Sequence, residues 1–210
     1  MKLYDFPRAP NPRRVRIFMA EKGLHIPLEQ VDLASQAQFD SNFARRNPMH
    51  TVPLLELDDG TCISESLAIC RYLEVLHPEP ALFGQSALEQ SLVEMWSRRA
   101  ELGGMIHAAD VVRNTLPFFV DHALPGVDGG VPQIPALAER GMAGLQRFFQ
   151  AFDQQLAEYE FVAGEHYSVA DITTQVTIDF AGWCKIRVPE TCQHLQRWHQ
   201  AISARPSARA

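Results

Sequence analysis

The rhythm of hydrophobic and polar positions changes about a third of the way along the chain. Before that point, short apolar runs alternate with helical periods. Residues 2–6 read as a strand. Residues 10–23 read as a helix, because Val15, Phe18 and Met19 share a face and Gly23 supplies the stop. Residues 28–33 fit a second strand. Residues 40–46 fit a short helix ended at Asn47-Pro48, since the residue before a proline is held out of the helical region. Residues 53–57 and 61–64 flank Asp58-Asp59-Gly60, a hairpin turn signal. Residues 66–77 return to helical spacing, with Leu67, Cys70 and Leu73 in phase and Pro78 as the stop. The expected order is β-α-β-α-β-β-α.

Beyond Pro78 no convincing strand remains. Residues 79–86 read as a linker. Residues 88–124 read as one long helical stretch with a kink near Pro117. Residues 125–135, rich in Gly and Pro, read as a loop, and residues 136–159 as a helix with Leu145, Phe148, Phe152 and Leu156 on one face. Ser168-Val169-Ala170-Asp171 is a capping-box variant that opens another helix, and residues 195–204 form the last. An α/β block followed by a run of helices predicts two domains, residues 1–78 and 87–210, joined by 79–86.

Composition narrows the function classes. With 46% apolar and 21% charged residues the chain belongs with ordinary globular proteins. A net charge of −6 disfavours nucleic acid and anionic membrane as partners. No apolar run approaches the roughly 18 residues that span a bilayer, and the N-terminus carries no apolar leader core, so the expected compartment is the cytoplasm. The cysteines, Cys62, Cys70, Cys184 and Cys192, form no C-x-x-C pair and no disulfide framework. The histidines are scattered and none has a partner at metal spacing, so no metal site is expected.

Three short segments carry candidate chemistry, each with a plainer alternative. Pro53 in Thr51-Val52-Pro53 either opens an edge strand in the ordinary trans form or is cis, which would turn the N–H and C=O of Val52 outward for pairing with an extended peptide. Glu65-Ser66 at the start of a helix is either a solvated acid and a cap, or a pair that takes an ammonium at Glu65 and a carboxylate at the helix N-terminus. Asn11, between Pro10 and Pro12, is either the N-cap of the first helix, with Pro12 at its first position, or a donor to a thiolate held in the helix field.

The order of these segments resembles the glutathione transferase family over essentially the whole length. The resemblance rests on Lys2-Leu3-Tyr4, on 14–23, on Asn47-Pro48 with Thr51-Val52-Pro53-Leu54-Leu55, on Ile63-Ser64-Glu65-Ser66-Leu67 and its continuation to Leu73, on Gly164-Glu165-His166-Tyr167-Ser168-Val169-Ala170-Asp171, and on Ala204-Arg205-Pro206-Ser207. It implies a thioredoxin-like N-terminal domain, an all-helical C-terminal domain and a glutathione site at Val52, Pro53, Glu65 and Ser66. His50 stands where the family often has a lysine or glutamine near the glycyl carboxylate. The family also implies a homodimer and a pocket between the domains for a hydrophobic electrophile, for which Pro10, Met105, Ile106 and Val111 are candidates.

The departure lies in the first loop, where many members place Tyr, Ser or Cys. No hydroxyl or thiol stands between Phe6 and Arg16, and Asn11 occupies the matching slot, which makes it the expected catalytic residue. The expected function is activation of the glutathione thiol for attack on an electrophile, with glutathione as co-substrate and no metal. The alternatives are glutathione-dependent reduction of disulfides or peroxides, and a non-catalytic binding or interaction protein of the same fold.

Overall fold

The computed structural model describes all residues 1–210. Its first part holds β1 (Lys2–Asp5), α1 (Pro10–Glu21), β2 (Leu28–Gln30), α2 (Ser41–Arg46), β3 (Leu54–Glu56), β4 (Cys62–Ser64) and α3 (Ser66–Leu76). The strands form one sheet in the order β2-β1-β3-β4, with β1 parallel to β2 and the other pairs antiparallel. Successive side chains on a strand face opposite ways, and here both faces are covered. Leu3 and Leu55 point into a core with Phe18, Ile69 and Leu73 of α1 and α3. Tyr4 and Leu54 point the other way, against Val31, Phe43 and Val52.

The second part is helical: α4 (Ala87–Ala100), α5 (Ile106–Thr115), α6 (Pro135–Glu158), α7 (Val169–Ala181) and α8 (Gln193–Ser203). Its core gathers Trp96, Phe148, Phe149, Phe152, Leu156 and Trp198. The two parts are welded by α7, whose Val169, Ile172 and Val176 enter the same cluster as Val15 and Phe18 of α1. No helix is long and apolar enough to cross a membrane.

The structure corrects several sequence readings. The expected continuous helix over 88–124 is α4, a π-helical segment at Glu101–Met105, and α5, which stops at Thr115 ahead of Pro117. A π turn bonds i to i+5 and so re-phases the face that follows it, which the periodicity of the sequence does not reveal. Asn11 is not the N-cap of α1: Ala9 holds that position and Pro10 is the first helical residue. Ser66 likewise sits inside the first turn of α3, with Glu65 at the N-cap and no side-chain capping bond. The Ser168 box forms as expected: the Ser168 hydroxyl accepts from the Ala170 N–H at 3.3 Å, and Asp171 accepts from the Ser168 N–H at 2.9 Å.

Candidate functional site

A cleft of about 420 Å³ opens between the sheet part and the loop that follows α5. One wall comes from the first part of the chain and includes Pro10, Asn11, His50, Val52, Glu65 and Ser66. Pro53 and Thr51 lie along the same wall. The sequence-derived candidates in the sheet part are therefore brought together, although up to 55 positions separate Asn11 from Ser66.

The middle of this wall is backbone. The Val52–Pro53 peptide bond is cis. Neither the N–H nor the C=O of Val52 has a hydrogen-bond partner within the chain, because β3 begins two residues later at Leu54. The preceding loop is braced by Asn47, which the sequence suggested only as a helix stop. Asn47 is 2% exposed; its amide donates to the Thr51 carbonyl at 2.8 Å and its oxygen accepts from the Met49 N–H at 3.2 Å. His50 adopts φ +53, with Nδ1 3.1 Å from the Gln38 carbonyl and its ring 5.0 Å from that of Phe39.

At one end stands Glu65, exposed, with no ion-pair partner, at φ +65. A non-glycine residue in this region costs of order 1–3 kcal/mol, and such strain collects where a side chain must be aimed. Beside it the first turn of α3 offers unbonded N–H groups. Ser66 is 5% exposed, and its oxygen accepts a 2.8 Å hydrogen bond from Nη1 of the buried Arg14, which leaves the hydroxyl proton as a donor. The same nitrogen donates to Glu101 at 2.9 Å, so α1, α3 and the π segment are fixed together beneath the wall.

At the start of α1 lies Asn11, exposed and capping nothing. Pro10 and Pro12 have no N–H, Ala9 donates to Phe6, and Arg13 donates to Ala9. The Asn11 N–H is therefore the single free backbone donor at this helix end, and the side-chain amide adds a second. Arg13 is committed elsewhere, to Asp179 at 2.7 Å and to the Ala208 carbonyl at 3.1 Å. The hydroxyl of Tyr4 donates to Glu56 at 2.7 Å, and none of the four cysteines lines the cleft.

The facing wall was not legible in the sequence. It is built by Arg113, Phe118, Phe119 and His122, continuing to Leu124 and Val127. Met105, Ile106 and Val111 stand outside it. Val111 is buried in the helical core, Met105 packs between the two large cores, and Ile106 is exposed about two turns before Arg113. Arg113 is the residue of α5 that reaches the cleft. Side-chain amides hold the loop: Gln133 donates to the carbonyls of Arg113 and Leu116, and Asn114 accepts from the Ile134 N–H at 2.8 Å. Two contacts join the walls. Gln36 meets His122 at 3.4 Å, and Gly126, at φ +75, approaches so closely that a Cβ there would lie 2.3 Å from the Met49 carbonyl oxygen. The only sequence signal for this wall was the Gly- and Pro-rich run at 125–135, since long loops in compact proteins are commonly functional.

Comparison with known proteins finds matches over both parts of the chain. Family models described as the glutathione S-transferase N-terminal and C-terminal domains match residues 3–81 and 110–206. The chain is 34% identical over its full length to glutathione S-transferase 2 of Saccharomyces cerevisiae, covering 88% of that protein. Its structure is similar to a glutathione S-transferase domain-containing protein of Marinobacter aquaeolei, with TM-score 0.91 and 36% identity over 99% of each chain. It is similar also to Gtt2 of S. cerevisiae, with TM-score 0.90 and 33% identity over 99% of this chain and 98% of that one.

Proposed function

Since the chain belongs to the glutathione transferase family, we propose that its cleft binds glutathione along the sheet wall and delivers the sulfur to a hydrophobic electrophile held against the facing wall. Glu65 receives the γ-glutamyl ammonium, while the first turn of α3 and the Ser66 hydroxyl receive the adjacent carboxylate. The free N–H and C=O of Val52, ahead of Pro53, pair with the cysteinyl backbone in the manner of an added strand. His50 lies toward the glycyl carboxylate. The sulfur then falls at the start of α1, where the helix field and two Asn11 donors favour the thiolate. The thiol proton leaves to solvent, the sulfur forms a bond to the electrophilic carbon, and the leaving group departs with its electron pair. In this reading residues 1–78 bind glutathione, and residues 87–210 supply the electrophile's wall. Exposed apolar side chains on α3 (Val75, Leu76) and along α4 to α5 (Leu88, Leu102, Ile106) support a homodimer. The reading places the protein in the cytoplasm.

The observation that carries this reading is the unpaired backbone of Val52, lying in one cleft with the unpaired Glu65 carboxylate and the start of α1. Titration calorimetry with glutathione, followed by turnover of 1-chloro-2,4-dinitrobenzene with mass identification of the product, tests it. Binding and a thioether product are expected. No thioether, but formation of glutathione disulfide when cumene hydroperoxide or hydroxyethyl disulfide is supplied as the oxidant, would favour reduction, with glutathione supplying both thiols, and absence of glutathione binding would overturn the reading.

A further inference from the structure

The facing wall holds a charge that its own chain leaves unanswered. Arg113 is the only Arg or Lys lining the cleft, and Glu65, on the opposite wall, is the only carboxylate. No acidic side chain pairs with Arg113, whereas Arg13, Arg14, Arg16 and Arg205 each hold a carboxylate. Its guanidinium lies 5.2 Å from the centroid of the Phe119 ring, and Phe118 meets Phe119 edge-on at 5.0 Å. Phe118 itself is 60% exposed. Burial of Arg113 lowers its pKa to about 10, so it remains a cation at neutral pH while its surroundings disfavour the charge. An incoming anion relieves that situation, and a guanidinium fork matches a carboxylate in particular.

Resting on the reading of the cleft given above, we propose that the electrophile site selects flat, apolar substrates bearing an anionic group, with Arg113 as the specificity-determining residue that receives a carboxylate. The phenyl rings and Leu124 supply the flat apolar contact, and the Arg113 fork supplies the polar anchor. For a chloronitroarene the reaction balances within the site: the thiolate sulfur bonds to the ring carbon, the C–Cl bond breaks, and chloride leaves with the electron pair.

The test compares 1-chloro-2,4-dinitrobenzene with 4-chloro-3,5-dinitrobenzoate at saturating glutathione. Each kcat/KM is divided by the uncatalysed rate with glutathione, which removes the difference in intrinsic reactivity. A charge-assisted hydrogen bond lost from the binding of one substrate corresponds to about a tenfold effect or more. The parent protein is expected to favour the benzoate by about tenfold, Arg113→Met to lose that preference, and Arg113→Lys to keep part of it, as a point charge without the fork. Glutathione Kd should be the same in all three. An unchanged preference in Arg113→Met overturns the proposal. So does a tenfold rise in glutathione Kd, because Arg113 would then serve the glycyl carboxylate. Calorimetric titration with unreactive 3,5-dinitrobenzoate separates this from the parent reading. If that anion binds, and binding is lost in Arg113→Met, the anionic site stands even where no conjugate forms. If it does not bind while conjugation proceeds, the site fails and the transferase reading stands. Should Arg113→Met not fold, Arg113→Gln, which keeps polarity and size while removing the charge, is held to the same outcomes.

Discussion

Asp171→Ala is the perturbation whose cost the structure allows to be worked through. The carboxylate is fully buried and accepts from the Val162 N–H (2.9 Å) and the Trp198 indole N–H (3.0 Å) at one oxygen, and from the Ser168 N–H (2.9 Å) and hydroxyl (3.1 Å) at the other. Truncation strands three N–H donors, and each unsatisfied buried donor costs about 1–3 kcal/mol. Against this, the buried charge is itself expensive. Burial raises the Asp171 pKa from 3.8 to about 6 despite these hydrogen bonds. That shift corresponds to about 3 kcal/mol, which truncation recovers at neutral pH. The net loss is therefore on the order of 3 kcal/mol at pH 7.5, a large share of a typical domain stability of about 5–15 kcal/mol. Asp171→Asn should be milder but still destabilising, because its NH₂ must face one of the two donor sets. Ser168→Ala should cost only about 1 kcal/mol.

The pH dependence carries a sign. The folded-state pKa lies above the unfolded one, so the protonated carboxyl stabilises the parent. That contribution is fully present below 3.8 and is lost as pH rises through about 6. The gap between parent and Asp171→Ala should consequently widen by about 1.4 kcal/mol on going from pH 7.5 to pH 5. Urea unfolding followed by tryptophan fluorescence at the two pH values measures it, since other titrating groups are common to both proteins. A gap independent of pH, or equal losses for Ser168→Ala and Asp171→Ala, would mean that the buried Asp171 carboxylate does not hold Val162, Ser168 and Trp198.

Four further outcomes are expected. Glu65→Gln removes the charge that would meet an ammonium, a contact worth roughly 1.5–3 kcal/mol, so glutathione Kd should rise about tenfold or more by calorimetry; unchanged affinity would place the γ-glutamyl end elsewhere. Asn11→Ala should raise the pKa of bound glutathione, as read from thiolate absorbance against pH, and lower kcat only in part because the Asn11 N–H survives; Asn11→Asp should be worse, and identical pKa values in all three proteins would remove Asn11 from thiol activation. Gly126→Ala sets a Cβ against the Met49 carbonyl at a left-handed φ, so the Tm should fall and the electrophile KM rise, whereas unchanged steady-state parameters would mean that the cleft does not depend on this seam. Arg14→Met removes the buried guanidinium that holds Ser66 and Glu101, and hydrogen bonds to a charged group are worth roughly 1.5–3 kcal/mol, so the Tm should fall, although Glu101 is part-exposed and keeps Arg98; a mutant that melts like the parent would show that Arg14 does not brace Ser66 and Glu101.

The sequence alone determined the features that arise from neighbouring residues. Period-2 and period-3.6 spacing, Asp59-Gly60 at the hairpin and the Ser168 box produced the α/β block and the helices after it, because turn chemistry and amphipathic phase are local. The sheet wall of the cleft was legible for the same reason: Val52-Pro53 and Glu65-Ser66 each sit where a strand or helix begins, and the ends of such elements are where unpaired backbone groups and helix fields are found. What faces that wall is set by contacts between distant parts of the chain. The sequence reads 88–124 as one helix, whereas α5 ends at Thr115 and its second half brings Arg113 to the cleft, while Val111 and Met105 pack in the cores and Ile106 stays exposed outside it. The loop beyond α5 reaches the cleft through Gly126 against Met49 and through Gln36 against His122, contacts between distant parts of the chain. No local pattern encodes such contacts, because they depend on how α7 docks α1 and on where the last turn of α5 ends in space.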